Sequence, residues 1–139
     1  MRRRRVIIID DDIPVLEVLK FYFAARGYEV FTFERPTACP LHGWRVEACP
    51  EDRPCADILV TDYKMPIMNG AELLQRQTEI GCKVIVGNKA IISGYIPNEH
   101  REKLESLGYV VFQKPLDFGA LTAWVEACEK RVEGGRQRE

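Results

Sequence analysis

Six side chains stand where chemistry is possible: Asp10, Asp11, Asp12, Asp62, Ser93 and Lys114. Each follows a short apolar run. Val6-Ile7-Ile8-Ile9 precedes the three aspartates, Ile58-Leu59-Val60 leads to Asp62, Ala90-Ile91-Ile92 precedes Ser93, and Tyr109 to Phe112 leads to Lys114 and Pro115. If these runs are parallel strands, their carboxyl ends form one crevice, because that edge is where open α/β sheets place ligands. Clustered carboxylates repel one another unless a hard cation sits among them, and Mg²⁺ prefers a few carboxylates together with waters and phosphate oxygens. A carboxylate can also attack phosphorus and form an acyl phosphate. The equatorial oxygens of a transferring phosphoryl group then need positive charge and donors, which Mg²⁺, the Lys114 ammonium and the Ser93 hydroxyl can supply. Singly, each residue has an ordinary explanation as a helix cap, a turn residue or a solvated charge. Their joint occurrence at four strand ends, in this order, points to phosphoryl chemistry.

The elements that must position these groups follow from periodicity. The all-apolar, β-branched run Val6 to Ile9 reads as a strand buried on both faces. Pro14 suits the first turn of a helix, Leu16, Leu19 and Phe23 mark its apolar face, and Gly27 stops it. Tyr28 to Phe33 reads as a second strand with alternation. Residues 34 to 56 are irregular and hold Pro36, Pro40, Pro50 and Pro54, so only a short helix, Gly43 to Ala48, is expected there. Ile58 to Asp62 is the third strand and Ala71 to Ile80 a helix. Val84 to Val86 and Ala90 to Ile92 are both strand-like, and the second is preferred as the sheet strand. A helix from Pro97 to Leu107, a strand from Tyr109 to Phe112 and a last helix complete the chain. That helix is capped by Asp117, with Phe118, Leu121, Val125, Cys128 and Val132 on its apolar face. Gly134 onward reads as a polar tail. Strands alternating with helices imply an α/β fold, a parallel five-stranded sheet covered on both faces.

The 139 residues amount to one domain, expected over 1–139 with a core of about 5–132. Apolar residues at 46% and charged residues at 29% are ordinary globular values, which excludes a largely disordered chain. A net charge of −1 argues against a dedicated nucleic-acid binder. No apolar run approaches the roughly 20 residues of a membrane span. Arg2 to Arg5 resembles the start of a signal peptide, but four apolar residues follow where a signal core has about 7–15. A cytoplasmic location and reduced thiols are therefore expected for Cys39, Cys49, Cys55, Cys82 and Cys128.

Together, Ile7-Ile8-Ile9-Asp10-Asp11-Asp12, Asp62-Tyr63-Lys64-Met65-Pro66-Ile67-Met68-Asn69-Gly70, Ile91-Ile92-Ser93-Gly94-Tyr95 and Lys114-Pro115 resemble the receiver domain of two-component response regulators. The resemblance covers essentially the whole chain, and its D-x-x-M-P-x-M-x-G run is highly specific. It implies a flavodoxin-like fold with strand order 2-1-3-4-5 and transfer of a phosphoryl group from a sensor-kinase phosphohistidine to Asp62. By position, it implies that Asp10 and Asp11 are the acidic pair, with Asp11 a direct Mg²⁺ ligand beside Asp62 and the Lys64 backbone carbonyl. Ser93 is the implied switch hydroxyl and Lys114 the partner of the phosphoryl oxygens, followed by a cis bond to Pro115. Asp12 reads as a helix cap. The implied partners are a histidine kinase or phosphotransfer protein and a target docking on the fourth helix, fifth strand and fifth helix. A weak homodimer is compatible with this. Only seven residues follow Val132, so a stand-alone receiver acting by protein contact is expected, not a turnover enzyme.

Two departures from the family pattern stand out. The aromatic expected three residues before the lysine is Val111, which leaves either Phe112 or Tyr95 as the mobile ring, with Tyr95 preferred. The 34–56 segment is several residues longer than usual. It contains Cys39, His42, Cys49 and Cys55, whose spacing is not a standard paired zinc pattern, so buried or loop thiols are expected. Trp44 reads as a core cover and His100 as an exposed helix residue. Two other readings stay open: a phosphorylation-independent pseudo-receiver, and a haloacid-dehalogenase-type phosphatase using Asp10 and Asp12. The phosphatase leaves the Asp62 to Gly70 run unexplained.

Overall fold

The computed structural model describes residues 3–35, Cys39 and residues 47–137. Five parallel strands form one sheet: β1 (Arg5–Ile9), β2 (Glu29–Phe33), β3 (Ile58–Asp62), β4 (Lys89–Ser93) and β5 (Val110–Gln113). Their order is β2-β1-β3-β4-β5, with β1 flanked by β2 and β3. Helices α1 (Ile13–Ala25), α2 (Gly70–Glu79), α3 (Asn98–Ser106) and α4 (Phe118–Gln137) connect or follow the strands. This is the expected flavodoxin-like order.

Strand alternation sorts the apolar residues into two cores. Val6, Ile8, Ile58, Val60, Ala90 and Ile92 pack on one face with Leu16, Leu19 and Phe23 of α1 and Leu121, Trp124 and Val125 of α4. Ile7, Ile9, Leu59, Ile91 and Val111 pack on the other with Leu73 and Leu74 of α2 and Leu104 of α3. Fully burying one such side chain contributes about 1.5–3 kcal/mol. Strands β3 and β4 are buried along their whole length, whereas the edge strand β2 is only partly covered and lacks clean alternation.

Helix ends carry their own signals. Asp12 is the N-cap of α1, its carboxylate accepting the Val15 N–H. Asn69 and Glu72 form a reciprocal capping box at α2. Asp117 Oδ1 accepts the N–H groups of Gly119 and Ala120 at the start of α4. Gly27, at φ +89°, ends α1 in a conformation that other residues adopt only with strain.

Two boundaries differ from expectation. Val86–Asn88 form a single 3₁₀ turn. Long-range ties hold it: Asn88 Nδ2 donates to the carbonyls of Asp57 (2.9 Å) and Cys128 (3.3 Å), and Trp124 Nε1 donates to the Gly87 carbonyl. Helix α4 continues through Gly134 to Gln137, where a polar tail was expected. No proline interrupts it, and two glycines cost only about 1 kcal/mol each. The expected helix Gly43–Ala48 falls mostly outside the described residues, as do His42 and Trp44, while Glu47 and Ala48 form a bend.

Candidate functional site

The carboxyl edge of the sheet gathers the acidic residues. Asp10 follows β1 directly and is 1% exposed, while Asp62 closes β3 at 6%. Asp11 is exposed beside them. Among the described residues, Asp10, Asp11 and Asp62 are the one group of potential metal ligands whose atoms lie within 4.8 Å of one another. Lys114 Nζ reaches between the buried pair, 3.4 Å from Asp62 Oδ1 and 3.6 Å from Asp10 Oδ2. Backbone bonds fix these positions: Asp10 N–H donates to Phe33 O, Tyr63 N–H to Ile92 O, and Lys114 N–H to Ser93 O.

Burial, and after it the neighbouring Asp10, push the Asp62 carboxyl up to about 7. Asp10 is raised as well, first by burial. Both shifts are partly offset by Lys114, so one ammonium does not fully compensate two buried carboxylates. A hard dication fits this donor set: carboxylate oxygens only, one of them exposed, with excess negative charge. Asp12 stands outside the set because its carboxylate caps α1. Its N–H instead donates to Asp10 Oδ1 at 2.8 Å and orients that group.

The loop after Asp62 shows why its motif has this composition. Gly70 N–H donates to Tyr63 O at 2.7 Å, and a Cβ on Gly70 would sit 2.5 Å from the Asp62 carbonyl oxygen. Any side chain there would displace the backbone that carries Asp62. Met65 is buried in the second core and anchors the loop, while Lys64 is exposed. Ile67 has φ +74° and is 91% exposed, so a β-branched residue holds a left-handed conformation without burial in return. Ile67→Gly is therefore expected to stabilise the chain by about 1 kcal/mol. Urea melts read the difference, and an unchanged or lowered midpoint counts against the strain.

Ser93 ends β4 at 2% exposure. Its Oγ donates to the Tyr95 carbonyl at 2.6 Å and accepts the Tyr95 N–H at 3.1 Å, so the hydroxyl is held within its own loop. Tyr95 is 78% exposed. Phe112 lies on the face opposite Val111 and stacks edge-on against Trp124 with ring centroids 5.6 Å apart. This removes Phe112 as a candidate for the ring beside the crevice. The Lys114–Pro115 bond is cis.

One contact was not foreseen. Tyr63, directly after Asp62, shares a 2.7 Å hydrogen bond with His100 Nδ1 of α3. Only the fold brings these residues together, and no local pattern signals it.

Comparison with known proteins converges on one family. The model of the response regulator receiver domain matches residues 6–126. The transcriptional regulatory protein FixJ of Azorhizobium caulinodans is 32% identical over 136 residues, covering 96% of this chain and 59% of FixJ. The chain thus spans well under two thirds of that relative's length. The signal receiver domain of a putative LuxO repressor protein from Vibrio parahaemolyticus superposes with TM-score 0.75 at 20% identity, covering 99% of this chain and 98% of the other. A CheY-like receiver domain protein from Methanospirillum hungatei gives 0.70 at 24%, covering 99% and 100%. The response regulator StyR gives 0.74 at 28%, covering 99% of this chain and 64% of StyR. With the family model spanning most of the sequence and the strand order matching, the chain belongs to the response regulator receiver domains, the phosphoacceptor switches of two-component systems.

Proposed function

We propose that Asp62 is the residue that accepts the phosphoryl group. The observation that carries this reading is the convergence of Asp10, Asp11 and Asp62 within 4.8 Å, with Lys114 Nζ at 3.4 Å from Asp62. Asp62 lies at the end of the central strand β3, and the backbone around it is held by Tyr63 and Gly70. A carboxylate oxygen of Asp62 attacks phosphorus, the phosphorus–nitrogen bond of the donor phosphohistidine breaks, and the imidazole leaves with its electron pair. Mg²⁺ would be held by Asp11, Asp62 and the Lys64 carbonyl, with Asp10 beside them, and would supply charge for the phosphoryl oxygens. Lys114 already lies against Asp62 and contributes a second cation there. The chain accepts and loses a phosphoryl group as a switch; it does not turn over a substrate.

The donor is a histidine kinase or phosphotransfer protein. The signal is read by a target on the face made by α3, β5 and α4. Among the described residues no helix is long and apolar enough to cross a membrane, and a cytoplasmic switch fits the donor chemistry. The test is to label the chain with acetyl phosphate and Mg²⁺, reduce the acyl phosphate with borohydride and locate the product by tandem mass spectrometry. Modification at residue 62 is expected. Modification at Asp10 would overturn the assignment in favour of haloacid-dehalogenase-type chemistry.

Ser93 supplies the switch. On phosphorylation its Oγ leaves the Tyr95 carbonyl for a phosphoryl oxygen, drawing the loop from Ser93 to Pro97 inward and freeing Tyr95 to move. Ser93→Ala is expected to accept the phosphoryl group at Asp62 yet lose most of the beryllofluoride-induced amide shifts between Gly94 and Glu99. A complete wild-type shift pattern in Ser93→Ala rules the hydroxyl out as the trigger.

A further inference from the structure

The crevice reaches α3 along two paths. The first is covalent: the loop after Ser93 runs directly into α3 at Asn98. The second is Tyr63, the residue after Asp62. Its backbone is pinned from both sides, the N–H donating to Ile92 O at 2.9 Å and the carbonyl accepting the Gly70 N–H at 2.7 Å. Its side chain packs against the second core, and its hydroxyl shares the 2.7 Å hydrogen bond with His100 Nδ1 in the first turn of α3. His100 is exposed, so burial does not hold it in place. The helix is lightly held elsewhere. Pro97 at its N-cap offers no side-chain hydrogen bond, and Leu104 is its buried residue. Arg101 Nη2 reaches the Val111 carbonyl at 3.4 Å, towards the end of the hydrogen-bonding range. A cavity of about 590 Å³ separates α3 from α2, with Tyr63, Thr78, His100, Lys103, Leu104 and Tyr109 among its walls. The helix therefore has room to move and few contacts to lose.

We infer that the Tyr63–His100 bond is a latch holding α3 in its resting position, and that phosphorylation of Asp62 releases it. Tyr63 and His100 are positioning residues, since neither touches the reacting atoms. The inference rests on Asp62 as the acceptor and on the inward movement of the Ser93 loop. That movement displaces the chain where it enters α3, and His100 stands in the first turn beyond it. A hydrogen bond of 2.7 Å is lost once its atoms separate by roughly a further 1 Å. Two arrangements then exclude each other. In one, Ser93 Oγ stays on the Tyr95 carbonyl and the latch is closed. In the other, Ser93 Oγ is on a phosphoryl oxygen and the latch is open. A bond made in one state alone biases the equilibrium towards that state. The coupling is reciprocal: if a phosphoryl group opens the latch, removing the latch strengthens binding of a phosphoryl mimic.

The test uses the full chain with excess Mg²⁺ and beryllofluoride as the mimic. Tyr63→Phe deletes the hydroxyl and keeps the ring. His100→Leu deletes its partner, and His100→Asn restores a hydrogen-bonding group near the place of Nδ1. Tyr63→Phe and His100→Leu are each expected to bind beryllofluoride about two- to tenfold more tightly than wild type, the effect of losing one net hydrogen bond from the resting state. The double variant is expected to match the single ones, because both remove the same bond, and His100→Asn is expected to return towards wild type. Without beryllofluoride, the amide signals of Asn98 to Ser106 in Tyr63→Phe are expected to lie part of the way along the lines joining the free and bound wild-type positions. A local packing defect gives no such alignment. Unchanged or weaker beryllofluoride binding in Tyr63→Phe, or amide shifts that leave those lines, overturns the latch while Asp62 stands as the acceptor. If the wild-type chain shows no response to beryllofluoride, the Asp62 reading falls and the latch falls with it.

Discussion

Asp62→Asn is expected to gain no phosphoryl group from acetyl phosphate and Mg²⁺, where the wild-type chain gains one by intact mass. The amide lacks the anionic oxygen that attacks phosphorus, while its shape leaves the β3 end undisturbed. The same substitution has a second, opposite consequence for stability. Asp62 in the metal-free fold is raised from an ordinary carboxyl value to about 7, by burial and then by Asp10. A raised carboxyl means the folded state holds its proton more tightly than the unfolded state. The wild-type chain therefore loses stability from this group as pH rises from about 4 towards 7, and the loss is complete above that. Asn carries no charge and escapes the loss. In chelator-treated samples at pH 8, Asp62→Asn is expected to be more stable by roughly 1–3 kcal/mol, with the advantage vanishing near pH 4. Thermal melts across pH measure it. Full labelling of Asp62→Asn would falsify the acceptor assignment. An equal pH dependence in both proteins would show that Asp62 is not held among uncompensated negative charge.

The sheet was legible because its central strands are covered on both faces. Continuous runs such as Val6 to Ile9 and Ile58 to Val60 can hardly be anything else at that length, and each ends on a polar residue that marks the crevice. Caps were legible for a similar reason, since Asp12 and Asp117 act within three residues of their own positions. Where the determinant is distant, the sequence said less. Val84 to Val86 has a strand's composition, yet the chain turns at Val86–Asn88 because Asn88 is claimed by carbonyls 31 and 40 residues away. Among the described residues the edge strand β2 has one side without a strand neighbour, so its alternation blurs. In the site, residue types at strand ends gave Asp10, Asp11, Asp62, Ser93 and Lys114. The Tyr63–His100 bond spans 37 residues and leaves no periodic trace. The strained φ of Ile67 was equally hidden, since nothing about an isoleucine announces a left-handed backbone.

Asp11→Ala is expected to lower Mg²⁺ affinity by more than the roughly 10–100-fold that follows loss of an outer-shell partner, because Asp11 is one of the proposed ligands. Asp11 is the exposed member of the carboxylate group, whereas Asp10 and Asp62 are buried against Lys114. An incoming hydrated ion can meet Asp11 while keeping part of its water shell, which Mg²⁺ surrenders reluctantly. Lys114 cannot replace the ion: its single charge is already divided between Asp10 and Asp62, and both carboxyls remain raised despite it. The two functions of the acidic group then separate by variant. Asp62→Asn removes the proposed acceptor, while Asp11→Ala keeps it and is expected to weaken the ion. Acetyl phosphate labelling of Asp11→Ala should therefore be slow at ordinary Mg²⁺ and recover as Mg²⁺ is raised, whereas no Mg²⁺ concentration rescues Asp62→Asn. Without metal, Asp11→Ala should melt slightly higher than wild type, since one of three neighbouring negative charges is gone. Isothermal titration gives the affinity and intact mass gives the labelling rate. Wild-type Mg²⁺ affinity in Asp11→Ala would place the ion elsewhere, and a labelling defect that ignores Mg²⁺ concentration would mean that Asp11 acts on the acceptor directly instead of through the cation.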